Sequence, residues 1–100
     1  MEWQRVCAEA DIADGSMCSF QIGETHLVVC RTGGELHAFN GVCPHRGAML
    51  GQGTLDGQSV ICPWHNWEFD VTTGKGVTNE QSSIPVYPVR VENGDIFVGL

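Results

Sequence analysis

Short runs of β-branched and aromatic residues, separated by glycine and polar turns, set the pattern of this chain. Positions 4–8, 17–22, 26–31 and 35–39 read as four short strands. Within the second, Cys18, Phe20 and Ile22 alternate with Ser19 and Gln21, the period-two mark of a half-buried strand. Gly33-Gly34 stands between two such runs as a hairpin turn, and Asn93-Gly94 joins 89–91 to 96–98 in a stronger one. Positions 59–61 and 67–70 read as two further strands. No segment has helical periodicity, and there is no internal repeat, linker or low-complexity tract. The pattern predicts an all-β architecture, a small sandwich or barrel.

Two stretches break the strand rhythm, 41–53 and 62–66. Between them they hold two of the five cysteines and two of the four histidines. Strong strands flank each one, which suggests a rigid β scaffold presenting two loops that build a site.

Length and composition narrow the classes. One hundred residues support one domain, 1–100, and leave little room for a second. With 42% hydrophobic and 17% charged residues the chain is too apolar to read as disordered. Its net charge of −7 is the opposite of a nucleic-acid binder's balance, and an anionic membrane surface would repel it. The same charge suits electrostatic steering toward a basic partner. Neither a signal peptide nor an apolar run of the ~20 residues that span a bilayer is visible. An odd number of cysteines without an export signal argues for reduced thiols in the cytoplasm, free to ligate metal.

The candidate chemistry lies in two short segments, Cys43-Pro44-His45 and Cys62-Pro63-Trp64-His65. Each supplies one thiolate and one imidazole. Such a Cys₂His₂ set serves either one structural zinc or an iron–sulfur centre held by two cysteines and two histidines. C-x-H spacing is unusual for zinc fingers, and colour separates the two outcomes, because a zinc protein is colourless. Outside these segments, Cys7, Cys18 and Cys30 lie in strands and read as small apolar residues. His26 and His37 read as strand-face residues, and Trp3 as packing. Trp64 is placed to shield the site or to form a docking face, and Arg46 to sit on its rim.

Cys43-Pro44-His45-Arg46-Gly47 and Cys62-Pro63-Trp64-His65 resemble the two cluster-binding boxes of the Rieske family. Phe69-Asp70-Val71-Thr72-Thr73-Gly74 is similar to the strand and turn that follow the second box, and Pro85 and Pro88 to a proline-containing segment near the cluster. The resemblance spans most of the chain, strongest in the boxes and weakest over residues 1–30. It implies an antiparallel β-sandwich or barrel with two cluster-binding loops. It also implies one [2Fe–2S] cluster per chain, with Cys43 and Cys62 on one iron and His45 and His65 on the other. Rieske proteins of the cytochrome bc type add a cysteine to each box and join the two as a disulfide. Ala48 and Trp64 hold those places here, so that bridge is expected to be absent. Trp67 and Phe69 stand where the high-potential members carry serine and tyrosine hydroxyls that donate to the cluster sulfurs. Their replacement implies a low potential.

These departures make the chain similar to Rieske ferredoxins. The implied role is that of a soluble electron-transfer protein, not an enzyme, passing electrons from a flavoprotein reductase to a terminal oxygenase or other oxidoreductase. A separate oxygenase domain is not expected, since His26 and His37 do not supply a 2-His-1-carboxylate iron site. An alternative is the Rieske-like small subunit of an assimilatory nitrite reductase, to which the chain is also similar.

Overall fold

The computed structural model describes residues 2–44, 47–64 and 66–100. The strands are β1 (Trp3–Ala8), β2 (Met17–Ile22), β3 (Thr25–Thr32), β4 (Glu35–Asn40), β5 (Thr54–Asp56), β6 (Ser59–Ile61), β7 (Glu68–Asp70), β8 (Val86–Tyr87), β9 (Val89–Glu92) and β10 (Asp95–Gly99). Two 3₁₀ turns, Glu9–Asp11 and Leu50–Gln52, are the only helical pieces among the described residues. The strands form three antiparallel sheets, ordered β1-β10-β9, β2-β3-β4-β8 and β5-β6-β7.

The run Leu27-Val28-Val29-Cys30 explains how the sheets come together. All four side chains are buried, so β3 has no solvent face. Because side chains alternate along a strand, the run feeds two cores. Val28 and Cys30 join Phe39, Leu50, Val60, Phe69, Val71 and Ile84 on one side. Leu27 and Val29 join Cys7, Ile12, Ala38, Ile96 and Val98 on the other. The β3–β4 pair is therefore the wall between β5-β6-β7 and β1-β10-β9. Burial of a side chain the size of Phe39 or Phe69 contributes about 2–3 kcal/mol. The half-buried β2 follows its pattern, with Cys18, Phe20 and Ile22 packed on the second core and Ser19 and Gln21 exposed.

The two foreseen hairpins have the left-handed pairs their turns need. Gly33 and Gly34 have φ of 59° and 80°, and Asn93 and Gly94 have 52° and 79°. Two strands carry no signature of their own. β5 is three residues with a single apolar side chain, and it exists through its pairing with β6. β8 is two residues between Pro85 and Pro88, held on the edge of β4 by Ala38–Tyr87 and Phe39–Val86 pairing. Edge positions are where a sheet tolerates proline neighbours. The strand read at 67–70 begins one residue later, at Glu68. Trp3 packs at a sheet face, with the Arg90 guanidinium 4.6 Å above its ring.

Candidate metal centre

Loop one leaves β4 at Asn40 and is fastened at its root. The Asn40 N–H donates to the Pro85 carbonyl (2.9 Å), and its side-chain amide donates to the Tyr87 hydroxyl (3.0 Å). Its side-chain oxygen accepts the Val42 N–H (3.0 Å). Gly41 N–H donates to the His26 carbonyl, and Leu50 N–H donates back to the Gly41 carbonyl, both at 2.8 Å. Val42 then bridges to Met49, and the Cys43 N–H donates to the Ala48 carbonyl at 2.8 Å. Gly47, at φ 72°, donates to the Cys43 carbonyl in turn (2.8 Å). These backbone bonds on both sides of Cys43 set its position.

Loop two connects β6 to β7, and at its root the Cys62 N–H donates to the Trp67 carbonyl at 2.7 Å. Asn66 supplies the left-handed residue of this turn, at φ 57°, a conformation that asparagine tolerates better than most residues. The segment 74–84 braces β7. The Val77 N–H donates to the Glu68 carbonyl (2.8 Å), the Glu68 N–H to the Thr78 hydroxyl (3.0 Å), and the Ile84 N–H to the Gly74 carbonyl (2.8 Å).

These loops bring the Cys43 and Cys62 thiols into hydrogen-bonding contact, with no solvent exposure at either residue. Burial pushes the Cys62 thiol above its ordinary pKa. The Trp64 backbone N–H pulls it down, and the neighbouring Cys43 thiol raises it further. Both cysteines sit in the first core, beside Phe39, Leu50 and Phe69, with Trp67 packed against it. All five cysteines are free. The places of the extra bc-type cysteines are taken by buried Ala48 and by Trp64, which is 54% exposed.

Two facing thiols in a dry core are soft metal ligands waiting to lose protons. Among the described residues no charged side chain is buried to offset the thiolates, and unpaired thiolates in such a place are costly. A metal centre held by the two sulfurs would supply that positive charge. The donor set and its surroundings fit the thiolate half of a [2Fe–2S] site.

Of the four ligands expected from the sequence, the structure unites Cys43 and Cys62, whereas His45 and His65 lie outside the described residues, as does Arg46. His26 and His37 fall on β3 and β4 as strand-face residues. The imidazole of His37 lies 3.9 Å from the Glu35 carboxylate. Among the described residues no group of three or more His, Cys, Asp or Glu is arranged to hold a metal. Cys7 and Cys30 are buried and Cys18 half-buried. Burial pushes the Cys30 thiol up to about 11, with the His37 backbone N–H pulling the other way. The bracing by 74–84 and by Pro85 and Tyr87 was hidden in the sequence. The prolines were its one visible trace.

The profile of the Rieske [2Fe–2S] domain family matches residues 2–88. The ferredoxin component of the alkene monooxygenase system of Xanthobacter autotrophicus is 35% identical over 100 residues, covering 99% of this chain and 82% of that protein. Among solved structures, the Sphingomonas yanoikuyae B1 ferredoxin superposes with a TM-score of 0.90 at 32% identity, covering 99% of each chain. A chain in the complex of reduced oxygenase and oxidized ferredoxin of carbazole 1,9a-dioxygenase superposes at 0.89 with 34% identity, covering 96% of this chain and 91% of that one. A putative NADH-dependent nitrite reductase small subunit from Mycobacterium tuberculosis superposes at 0.88 with 26% identity, covering 97% and 93%. Among the described residues no helix is long and apolar enough to cross a membrane.

Proposed function

The chain belongs to the Rieske [2Fe–2S] domain family, and from that premise we propose that it is a ferredoxin. It is a one-electron carrier that takes electrons from a flavoprotein reductase and delivers them to a terminal oxygenase or another oxidoreductase. Its cofactor is one [2Fe–2S] cluster, and the protein itself is a component of a multicomponent system and not a catalyst. The observation that carries this reading is the meeting of two buried, unoxidised thiols, each at the root of its own backbone-fastened loop. Cys43 and Cys62 would hold one iron, and His45 and His65 the other, within a single domain spanning 1–100.

When bound, the cluster supplies reversible uptake of one electron. The residues around it do the rest. Cys43 and Cys62 fix its position through the ladders at Ala48 and Trp67, and Phe39, Leu50 and Phe69 exclude water from the thiolate side. Phe69 offers no hydroxyl at a place where high-potential relatives of this family have one, which favours a low potential. The odd number of cysteines and the net charge of −7 agree with a soluble protein of the cytoplasm.

The fold is shared with a nitrite reductase small subunit at 26% identity, but the higher identity to ferredoxins, 32% and 35%, favours the carrier. The test is anaerobic purification followed by iron and acid-labile sulfide analysis with a reductive titration. Two irons, two sulfides and bleaching of the visible colour by one electron equivalent are expected. A colourless zinc protein would refute the assignment, and obligate co-purification with a large catalytic subunit would move it to the alternative.

A further inference from the structure

A groove of about 590 Å³ opens beside loop two, lined by Trp67, Val77, Thr78, Asn79, Glu80 and Gln81. Trp67 forms one wall, and its carbonyl accepts the Cys62 N–H, so the groove lies one hydrogen bond from a metal-bearing loop. Val77, like Trp64 on the loop itself, is an exposed apolar side chain. The oxygens of Thr78 and Asn79 are already engaged by the Glu68 and Gln81 backbone N–H groups, which leaves the Glu80 carboxylate as the uncommitted charge of the groove.

Charge distribution sharpens the point. Arg5, Arg31 and Arg90 are each paired, with Asp95, Glu9 and Glu92. Among the described residues no ion pair uses Glu68 or Glu80, and Lys75, which shares the adjoining hollow with Glu80, forms none either. The excess negative charge of the molecule thus includes free acids at its cluster-bearing end. An aromatic wall facing a free carboxylate recognises a cation and rejects an anion.

Resting on the carrier reading, we propose that a redox partner docks at this end by seating a basic side chain, lysine or arginine, between Trp67 and Glu80. Val77 and Trp64 lie against the partner as apolar shoulders. The partner surface is therefore basic around an apolar centre, and the groove sets its register on the cluster-bearing end.

The experiment uses the cluster-loaded full chain, chemically reduced, with stopped-flow oxidation by cytochrome c as a basic protein probe and by ferricyanide as an anionic one. Glu80→Gln and Glu80→Lys are compared with Asp56→Asn. Asp56 lies at the β5–β6 turn, away from the cluster-bearing loops, where Thr32 donates to the Gly57 carbonyl (2.6 Å). Glu80 is exposed, so folding and visible absorption should be intact in its variants. At low salt Glu80→Gln should slow the cytochrome c reaction about threefold and Glu80→Lys about tenfold, the difference fading as salt screens it. Ferricyanide rates should not fall. Wild-type rates with cytochrome c in both Glu80 variants would overturn the proposal. An equal loss in Asp56→Asn would also overturn it, by reducing the effect to net charge. A wild-type chain that holds its cluster yet passes no electrons to cytochrome c would refute the carrier reading, and the docking site with it.

Discussion

The Cys43 and Cys62 thiols touch across the interior although separate loops deliver them, and neither residue reaches solvent. Cys43 comes from a ladder that begins at β4, Cys62 from the turn between β6 and β7. Each thiol therefore reports on a different sheet, and a group bound by both ties the sheets together.

Removing either should cost the metal and loosen both loops, because ligand binding and local folding are one equilibrium. Cys43→Ser and Cys62→Ala are expected to purify without visible absorption or stoichiometric iron. Cys30→Ala, which empties a buried position in the same core but removes neither proposed ligand, should keep its iron. Iron analysis of the three variants decides the point.

The reduction potential is expected near the low end of the Rieske range of about −150 to +300 mV. Phe69 is wholly buried in the core that contains both cysteines and has no hydroxyl to donate to a sulfur. Voltammetry of the native protein checks this, and a value well above zero would contradict it.

Gly74 and Gly57 separate backbone strain from crowding. Both have positive φ, 80° and 59°, but a Cβ at Gly74 would stand 2.1 Å from the Ile84 carbonyl oxygen, whereas at Gly57 nothing lies within 4 Å. Gly57→Ala should cost about 1 kcal/mol of strain alone. Gly74→Ala should cost about 2–4 kcal/mol, because it also pushes 74–84 off β7. Chemical denaturation of the loaded protein measures the difference.

The Asp70 carboxyl is held below its ordinary pKa, chiefly by the Thr72 hydroxyl, which donates to it at 2.5 Å; burial opposes this, and the Thr72 and Thr73 backbone N–H groups and the nearby His37 add smaller lowering effects. The folded state therefore binds fewer protons than the unfolded chain as pH passes below about 4, the unperturbed aspartate value. The stabilisation is present above that value and is lost as pH falls through the folded pKa. Asp70→Asn should be less stable than wild type at neutral pH, with the gap closing on acidification. Denaturation at pH 7 and at about pH 3 tests the sign, and an unchanged gap would disprove it.

The sequence by itself determined the strand pairs and the two short chemical segments. Alternation at Cys18, Phe20 and Ile22, the turns at Gly33-Gly34 and Asn93-Gly94, and the Cys–His spacings are local properties, legible because they depend on neighbours along the chain. Tertiary structure alone decided the rest. β5 and β8 are too short to announce themselves and exist through their pairing with β6 and β4. The fastening of loop one by Pro85 and Tyr87, and the groove between Trp67 and Glu80, join residues distant along the chain. Such contacts follow from which faces β3 must bury on its two sides, a requirement met only when all three sheets are packed.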